Sequence, residues 1–558
     1  MSYEMKWTQV FFALSLTVGG VYSDDGVVYS DTTVTIHPQW LAQGGNANYD
    51  NNRWNKHFGL DQTNLIPNCR RLRTDSGRFP GPENTGYLIK KWPEDPNRSG
   101  YPDPNYLKNV SREQGLCPDY LENINTGYEN DMILVAGVAE KLHARFNIKV
   151  AGPTIGSYTK YADLSNFSYW DKVADFMDGT LGYIDVFSFH SYNNLVVSGR
   201  SYNFTGANEA RLVAFIDLVE NYASQKTGKM IPLVISEYGR DAVSGLDKYA
   251  PSPIIDFSTI YQSNGHKFTQ LGLREYIDRA VVFLLASEER PGRYTLNYSL
   301  FSPDGEPTRI VDFFEFWYKF RSGFSFIRTN SQYDGKERTV SPLAMSSSST
   351  NETVILLHSY SRRSQAVKLV FQEDWIKPTT GQATCITIKD DWFPVITFNK
   401  TIDIQKTQGI VELPPEATCH FTFNIPSNKL PSVTLNETTY YGADTLIPIK
   451  GDVVSTVISL PNGQYDSARL RVSTSWLINE TISVSYVTFN DHRVDTFFKL
   501  YDSDKFNPAS NTYWTVWEFL VPVPVFVLGR TRYRFTSLTT WQRDMFHLLL
   551  LSQEAGSI

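Results

Sequence analysis

"MIPLVISEYG" occupies residues 230–239. Its apolar run, Ile231 to Ile235 around Pro232, has the length and β-branched content of a buried strand. The run ends abruptly on Ser236, Glu237, Tyr238 and Gly239. A carboxylate directly after such a run is expensive to bury without a partner or a task. Glu237 is therefore either an ion-paired strand end or a functional group. Upstream, "YIDVFSFHSY" (183–192) repeats the pattern, an apolar run closing on His190, Ser191 and Tyr192. Between the two lies "ARLVAFIDLVENYASQ" (210–225), with helical apolar spacing. Strand, helix, strand in this order predicts parallel βα units.

The same alternation extends in both directions. "KVAGPT" (149–154) is a short strand entering a Gly-Pro turn. "REYIDRAVVFLLASEE" (274–289) has helical spacing and "RYTLNYSLFS" (293–302) reads as a further strand. Downstream of Gly323 the pattern becomes all-β. "ETVILLHSYS", "QAVKLVFQE", "CITIKD" and "CHFTFNI" are short strands between turns. "PSNKLPS" (426–432) is a linker, and "ARLRVSTSWL", "TISVSYVTF" and "RVDTFFKLY" open a second all-β unit. The reading is a multidomain chain: a (β/α)8 TIM-type barrel over 24–325, a β-sandwich over 326–425, and a second sandwich-like domain over 433–558.

The chain has 558 residues, too many for one ordinary core. At 41% hydrophobic and 20% charged it is globular in composition. A net charge of −7 over this length leaves no basic footprint, which argues against nucleic acid. Residues 1–23 carry a lysine, an apolar run from Val10 to Val18 and small residues up to Ser23, the pattern of a signal peptide. No stretch approaches the ~18 apolar residues of a membrane span. The expectation is a secreted, extracellular protein, a monomer with no membrane partner. Asn-X-Ser/Thr sequons at Asn97, Asn109, Asn166, Asn203, Asn297, Asn351, Asn399, Asn436 and Asn479 fit that route. The cysteines fall into two pairs, Cys69 with Cys117 and Cys385 with Cys419, without zinc spacing, so two disulfides and no metal site are expected. "YDSDKFN" (501–507) lacks the glycine and closing glutamate of a calcium loop and reads as a turn.

"KVAGP", "DVFSFHSY" and "LVISEYG" together resemble the fifth, sixth and seventh strands of retaining (β/α)8 glycoside hydrolases. "GGNANYDNNRWNKHFG" (44–59) and "SGRFPGPEN" (76–84) resemble the N-terminal pattern of glycoside hydrolase family 86, the β-agarases and β-porphyranases. The resemblance implies cleavage of β-galactosidic linkages in agar-type galactans, with no cofactor. It implies Glu237 as nucleophile, with His190 and Tyr192 orienting it and the sugar. Tyr238 and Trp54 are candidates for the floor of a sugar subsite.

Retaining hydrolysis also needs an acid/base group about 5–5.5 Å from the nucleophile. The resemblance places it after strand four, in a segment of the form Pro-X-Tyr-X-Glu-X-X-Asn-Glu. "CPDYLENINTGYEND" (117–131) matches at Pro118, Tyr120, Glu122 and Asn125, and Asn125 would hydrogen-bond a sugar 2-hydroxyl. The next position is Thr126, which cannot donate a proton in that role. Glu129 is the nearest substitute, although a carboxylate there also suits a helix N-terminus. Residues 76–116 lack a clear βα unit, which would leave the barrel incomplete. Two functions follow as expectations: a galactan hydrolase, or a hydrolase-like galactan-binding protein without its acid/base carboxylate.

Overall fold

The structure is a computed structural model, and it describes residues 32–41, 94–95, 98–102, 120–122, 143–144, 149–155, 170–206, 209–247, 252–283, 300, 307–320, 323–333, 337–371, 378–388, 395–425, 433–434, 438–448, 453–460, 467–477, 484–489, 492–494, 497–501, 512–521, 529–537 and 545–554. The described chain is mostly β with few helices.

Parallel strands follow one another in chain order: Tyr120–Glu122, Lys149–Ile155, Val186–Ser198, Leu233–Ser244 and Ile277–Val282. Helices Trp170–Thr180, Glu209–Thr227 and Pro253–Gly272 connect the last four. The crossovers are forced, because parallel neighbours cannot be joined by a tight turn. The expected alternation over 149–239 is present. One assignment needs correcting. Over its described part the expected helix at 274–289 is not formed: 273–276 are a turn and Ile277–Val282 is a strand parallel to Leu233–Ser244, while 284–289 lie outside the described residues. Ala280, Val281 and Val282 are all buried, as a covered strand requires and as one face of a helix would not give.

The connecting helix lies earlier, at Pro253–Gly272, with Ser252 before it and proline at its first position. Its hydrophobic pattern hides it. Gln262, Ser263, Asn264, His266, Lys267 and Gln270 are all buried, alongside Ile260, Tyr261, Phe268 and Leu271. Residues that would face water on an ordinary surface helix are covered here by a second sheet.

That second sheet is ten-stranded, running from Ser325–Tyr333 to Thr418–Asn424 and including Thr32–Leu41 and the short strand Val433–Thr434. Thr32–Leu41 lies antiparallel to Ser325–Tyr333 and parallel to Gln365–Phe371. Val34 and Ile36 have no exposure and pack with Val367, Val411 and Leu413. The first described segment is thus held by residues about 300 positions later.

Cys385 and Cys419 are paired opposite each other across neighbouring strands of this sheet and form a disulfide. The bridge spans 34 residues of sequence. Loop-closure entropy for that length predicts that Cys385→Ala/Cys419→Ala loses about 3–4 kcal/mol of stability in urea unfolding. A loss below about 1 kcal/mol would contradict the prediction. Cys69 and Cys117 lie outside the described residues.

Residues 439–554 form two further sheets, one around Ser467–Leu477 and Thr512–Val521, the other around Val453–Leu460 and Gly529–Ser537. The first covers the Glu209–Thr227 helix through polar contacts. Arg471 Nη1 donates to Asp217 Oδ1 at 3.0 Å, and its Nε reaches Glu518 Oε1 at 3.3 Å. Thr445 Oγ1 donates to Gln225 Oε1 at 2.7 Å. Asp217 is buried, and desolvation pushes its pKa up to about 7 against the pull of Arg471. Such a group favours the fold in acid, and its contribution is lost as pH rises through about 7.

His358 has the opposite sign. It sits on Glu352–Ser359 with no exposure, between the rings of Tyr261 and Tyr360, and burial lowers its pKa to about 3. Its contribution is complete above the ordinary histidine range near 6.5 and is lost as pH falls toward about 3. His358→Gln should remove one proton from the linkage. The slope of unfolding free energy between pH 6 and 4 then falls by about 1.4 kcal/mol per pH unit. An unchanged slope would contradict the assignment.

Candidate active site

The geometry around Glu237 begins with an irregular ladder. Between Val186–Ser198 and Leu233–Ser244, Phe189 pairs with Ile235, but the next residue, His190, pairs with Glu237. Ser236 is therefore an extra residue, a β-bulge, and without it Ser236 would stand opposite His190. The bulge brings the carboxylate beside the imidazole. Ser236 itself donates to the Phe189 carbonyl at 3.4 Å.

Glu237 is 8% exposed. His190 Nδ1 lies 3.1 Å from its Oε2, and the Tyr192 hydroxyl donates to the same oxygen. Side chains two residues apart on a strand share a face, so His190 and Tyr192 reach the carboxylate together. The Tyr192 ring is fixed edge-on against Phe283, centroids 5.9 Å apart, and edge-on against His190 at 6.0 Å. Accepting the tyrosine proton requires an acceptor oxygen, which a carboxylate supplies. The arrangement fixes the carboxylate's rotation and leaves a small exposed surface through which a reactant can approach. Phe283 was not apparent as a site residue. It ends "RAVVF", which has the spacing of a helix.

Tyr238 faces the other way. It has no exposure, and its ring packs against His266 of the Pro253–Gly272 helix at 5.8 Å. Burial raises its pKa. This position is behind the sheet rather than on a floor that a sugar can touch, as alternation from Glu237 requires. At Gly239 the backbone takes φ +139°, where side chains are strained, and an added Cβ would meet Ser263 Oγ at 3.3 Å. The close packing of helix against strand behind Glu237 depends on that glycine.

The Tyr120–Glu122 strand pairs in parallel with Lys149–Ile155, Glu122 opposite Ala151. It therefore runs in the same direction as the strand carrying Glu237 and lies three strands from it in the sheet. Asn125, Thr126, Glu129 and Trp54 lie outside the described residues.

No protein-family model matches the sequence. The chain is 24% identical over 377 residues to beta-porphyranase A of Phocaeicola plebeius, covering 63% of this chain and 48% of that one. The chain thus spans about half the length of this curated relative. Among solved structures, that of BuGH86wt in complex with neoagarooctaose superposes with a TM-score of 0.76 at 16% identity, over 94% of this chain and 99% of that one. A β-porphyranase of glycoside hydrolase family 86 from the gut bacterium Bacteroides plebeius gives a TM-score of 0.73 at 16% identity, over 94% and 100%. The chain shares its fold with these glycoside hydrolase structures. The resemblance read from the motifs holds in three dimensions, and the structures it leads to are those of glycoside hydrolase family 86.

Proposed function

We propose that the protein is a secreted glycoside hydrolase that cleaves β-galactosidic linkages of agar-type galactans with retention of configuration. The observation that carries the reading is the Glu237 carboxylate, mostly buried after a bulge and engaged by Tyr192 and His190. It lies on a fold shared with an oligosaccharide complex and a β-porphyranase. Glu237 attacks the anomeric carbon, forming a glycosyl ester as the bond to the leaving oxygen breaks and that oxygen takes a proton from the acid/base, for which Glu129 is the candidate; water then displaces the ester and returns a proton to the same group. Tyr192 and His190 hold the attacking carboxylate in one orientation, which lowers the entropic part of the barrier.

The architecture belongs to this proposal. The parallel strands from Tyr120 to Val282 are one arc of a (β/α)8 barrel, and the β regions after it are two sandwich-like domains. Signal-peptide cleavage, sequon glycosylation, the monomeric state and the domain limits are parts of the same reading, except that Thr32–Leu41 belongs to the ten-stranded sheet and not to the barrel. Asn399, within a sequon, is exposed.

Thr126 motivates a second reading, a galactan-binding protein whose barrel lacks its proton donor. Product release from agarose and porphyran by the purified protein separates the two. Discrete oligosaccharides support the hydrolase. Binding without products, from folded protein, supports the second reading.

A further inference from the structure

A cavity opens where two neighbouring strands part. Ser325–Tyr333 and Val340–Ser347 form an antiparallel ladder only over Ser325↔Ser346, Phe326↔Met345 and Ile327↔Ala344. Continuing it would bring Pro342 opposite Thr329, and proline has no N–H for a ladder. Beyond that point each strand keeps only its outer neighbour, Thr32–Leu41 on one side and Glu352–Ser359 on the other. The gap is part of a cavity of about 600 Å³, closed by the end of the Pro253–Gly272 helix and by the Ser467–Leu477 and Thr512–Val521 strands. Parts of all three sequence regions meet there.

Its lining is rich in guanidinium groups. Arg274, Arg328, Arg338, Arg469 and Arg471 face it, against Glu209, Glu275 and Glu518. Arg471 is committed to Asp217 and Glu518. Arg338 approaches Glu209 at 3.2 Å through Nη1, but its Nε is buried without a hydrogen-bond acceptor. Arg469 reaches Glu518 at 3.7 Å through Nη1, and its Nε is likewise buried without an acceptor. Arg328 lines the cavity at the point where the strands separate, its Nε donating to Asn330 Oδ1 at 3.4 Å. Burial raises the Glu209 pKa against the pull of Arg338. The volume lies within the roughly 300–1,000 Å³ of small-molecule sites and exceeds what a bare oxyanion fills.

We propose that this cavity binds a small ligand carrying an oxyanion, such as a sulfate, with Arg328, Arg338 and Arg469 as its donors. Planar guanidinium groups match such anions with paired hydrogen bonds. None of Glu237, His190 and Tyr192 lines the cavity, so the site is separate from the proposed catalytic one. The proposal stands whether or not Glu237 cleaves a sugar.

Calorimetric titration at constant ionic strength tests it. The probes are inorganic sulfate, galactose 6-sulfate and galactose, with chloride as control, against the full chain, Glu237→Gln and Arg328→Gln. Sulfate or its ester should bind, galactose should not, Arg328→Gln should weaken binding at least tenfold, and Glu237→Gln should leave it unchanged. Tighter binding of the ester assigns the site to a sulfated sugar; equal or tighter binding of sulfate assigns it to the free anion. No heat above the chloride control overturns the proposal, as does Arg328→Gln binding like the wild type. If that variant fails to fold, hydrogen exchange on wild type decides: ligand must protect residues 325–333 and 340–347, and absence of protection overturns the proposal.

Discussion

Glu237→Gln is expected to reduce galactan hydrolysis by roughly 10⁴-fold or more, the scale on which covalent nucleophiles are lost. The substitution keeps the shape and an oxygen that can accept from Tyr192, so the site stays folded. It removes the anion that forms the glycosyl ester. The control is thermal unfolding, which should change little, since glutamine keeps the buried methylenes of Glu237 and an oxygen that accepts from Tyr192. Reducing-end release from agarose, followed over time for both proteins, measures the effect. A variant with wild-type activity would remove Glu237 from the mechanism. A drop accompanied by unfolding would assign Glu237 a structural role instead.

The second large effect concerns Thr126, which stands where the family resemblance places the proton donor. Thr126→Glu should raise activity by roughly 10²–10⁴-fold, the usual contribution of a positioned general acid. The Tyr120–Glu122 strand precedes Thr126 by four residues and runs parallel to the strand of Glu237, three places away. Along a flat sheet that is about 14 Å, and the barrel closure proposed above would bring the two side chains nearer. A glutamate side chain restores a group able to protonate the leaving oxygen and later to activate water. If Thr126→Glu is no more active than the parent while Glu129→Gln abolishes the parent's activity, Glu129 is the acid. If neither substitution changes the activity, the resemblance at 117–131 does not extend to the chemistry.

How much of this could be read from the sequence depends on how each segment is covered. Residues 150–153, 186–189 and 233–236 were legible as strands because both faces are buried there, which writes a mostly apolar run, whereas the continuations to Ser198 and Ser244 were not read. His190, Tyr192 and Glu237 were legible as polar endings to those runs. The bulge at Ser236, which sets His190 against Glu237, leaves no mark in composition. The Pro253–Gly272 helix was missed because its polar side is buried against the second sheet, so the amphipathic contrast is absent. Ala280–Val282 fits helical and strand spacing equally, and only its neighbour Leu233–Ser244 decides between them. The pairing of Thr32–Leu41 with Ser325–Tyr333 has no local signal, because its partners are distant in sequence.

The measurement that tests the account most directly is covalent trapping of the intermediate. The protein is incubated with a galactan oligosaccharide fluorinated at the 2-position of the reacting sugar and bearing a good leaving group. Fluorine destabilises the oxocarbenium-like transition state and slows ester hydrolysis, so the adduct accumulates. Intact mass followed by peptide mapping should show one glycosyl unit on the peptide containing Glu237, absent from Glu237→Gln. Turnover of natural galactan with no adduct, or an adduct on another carboxylate, would contradict the assignment of Glu237 as nucleophile.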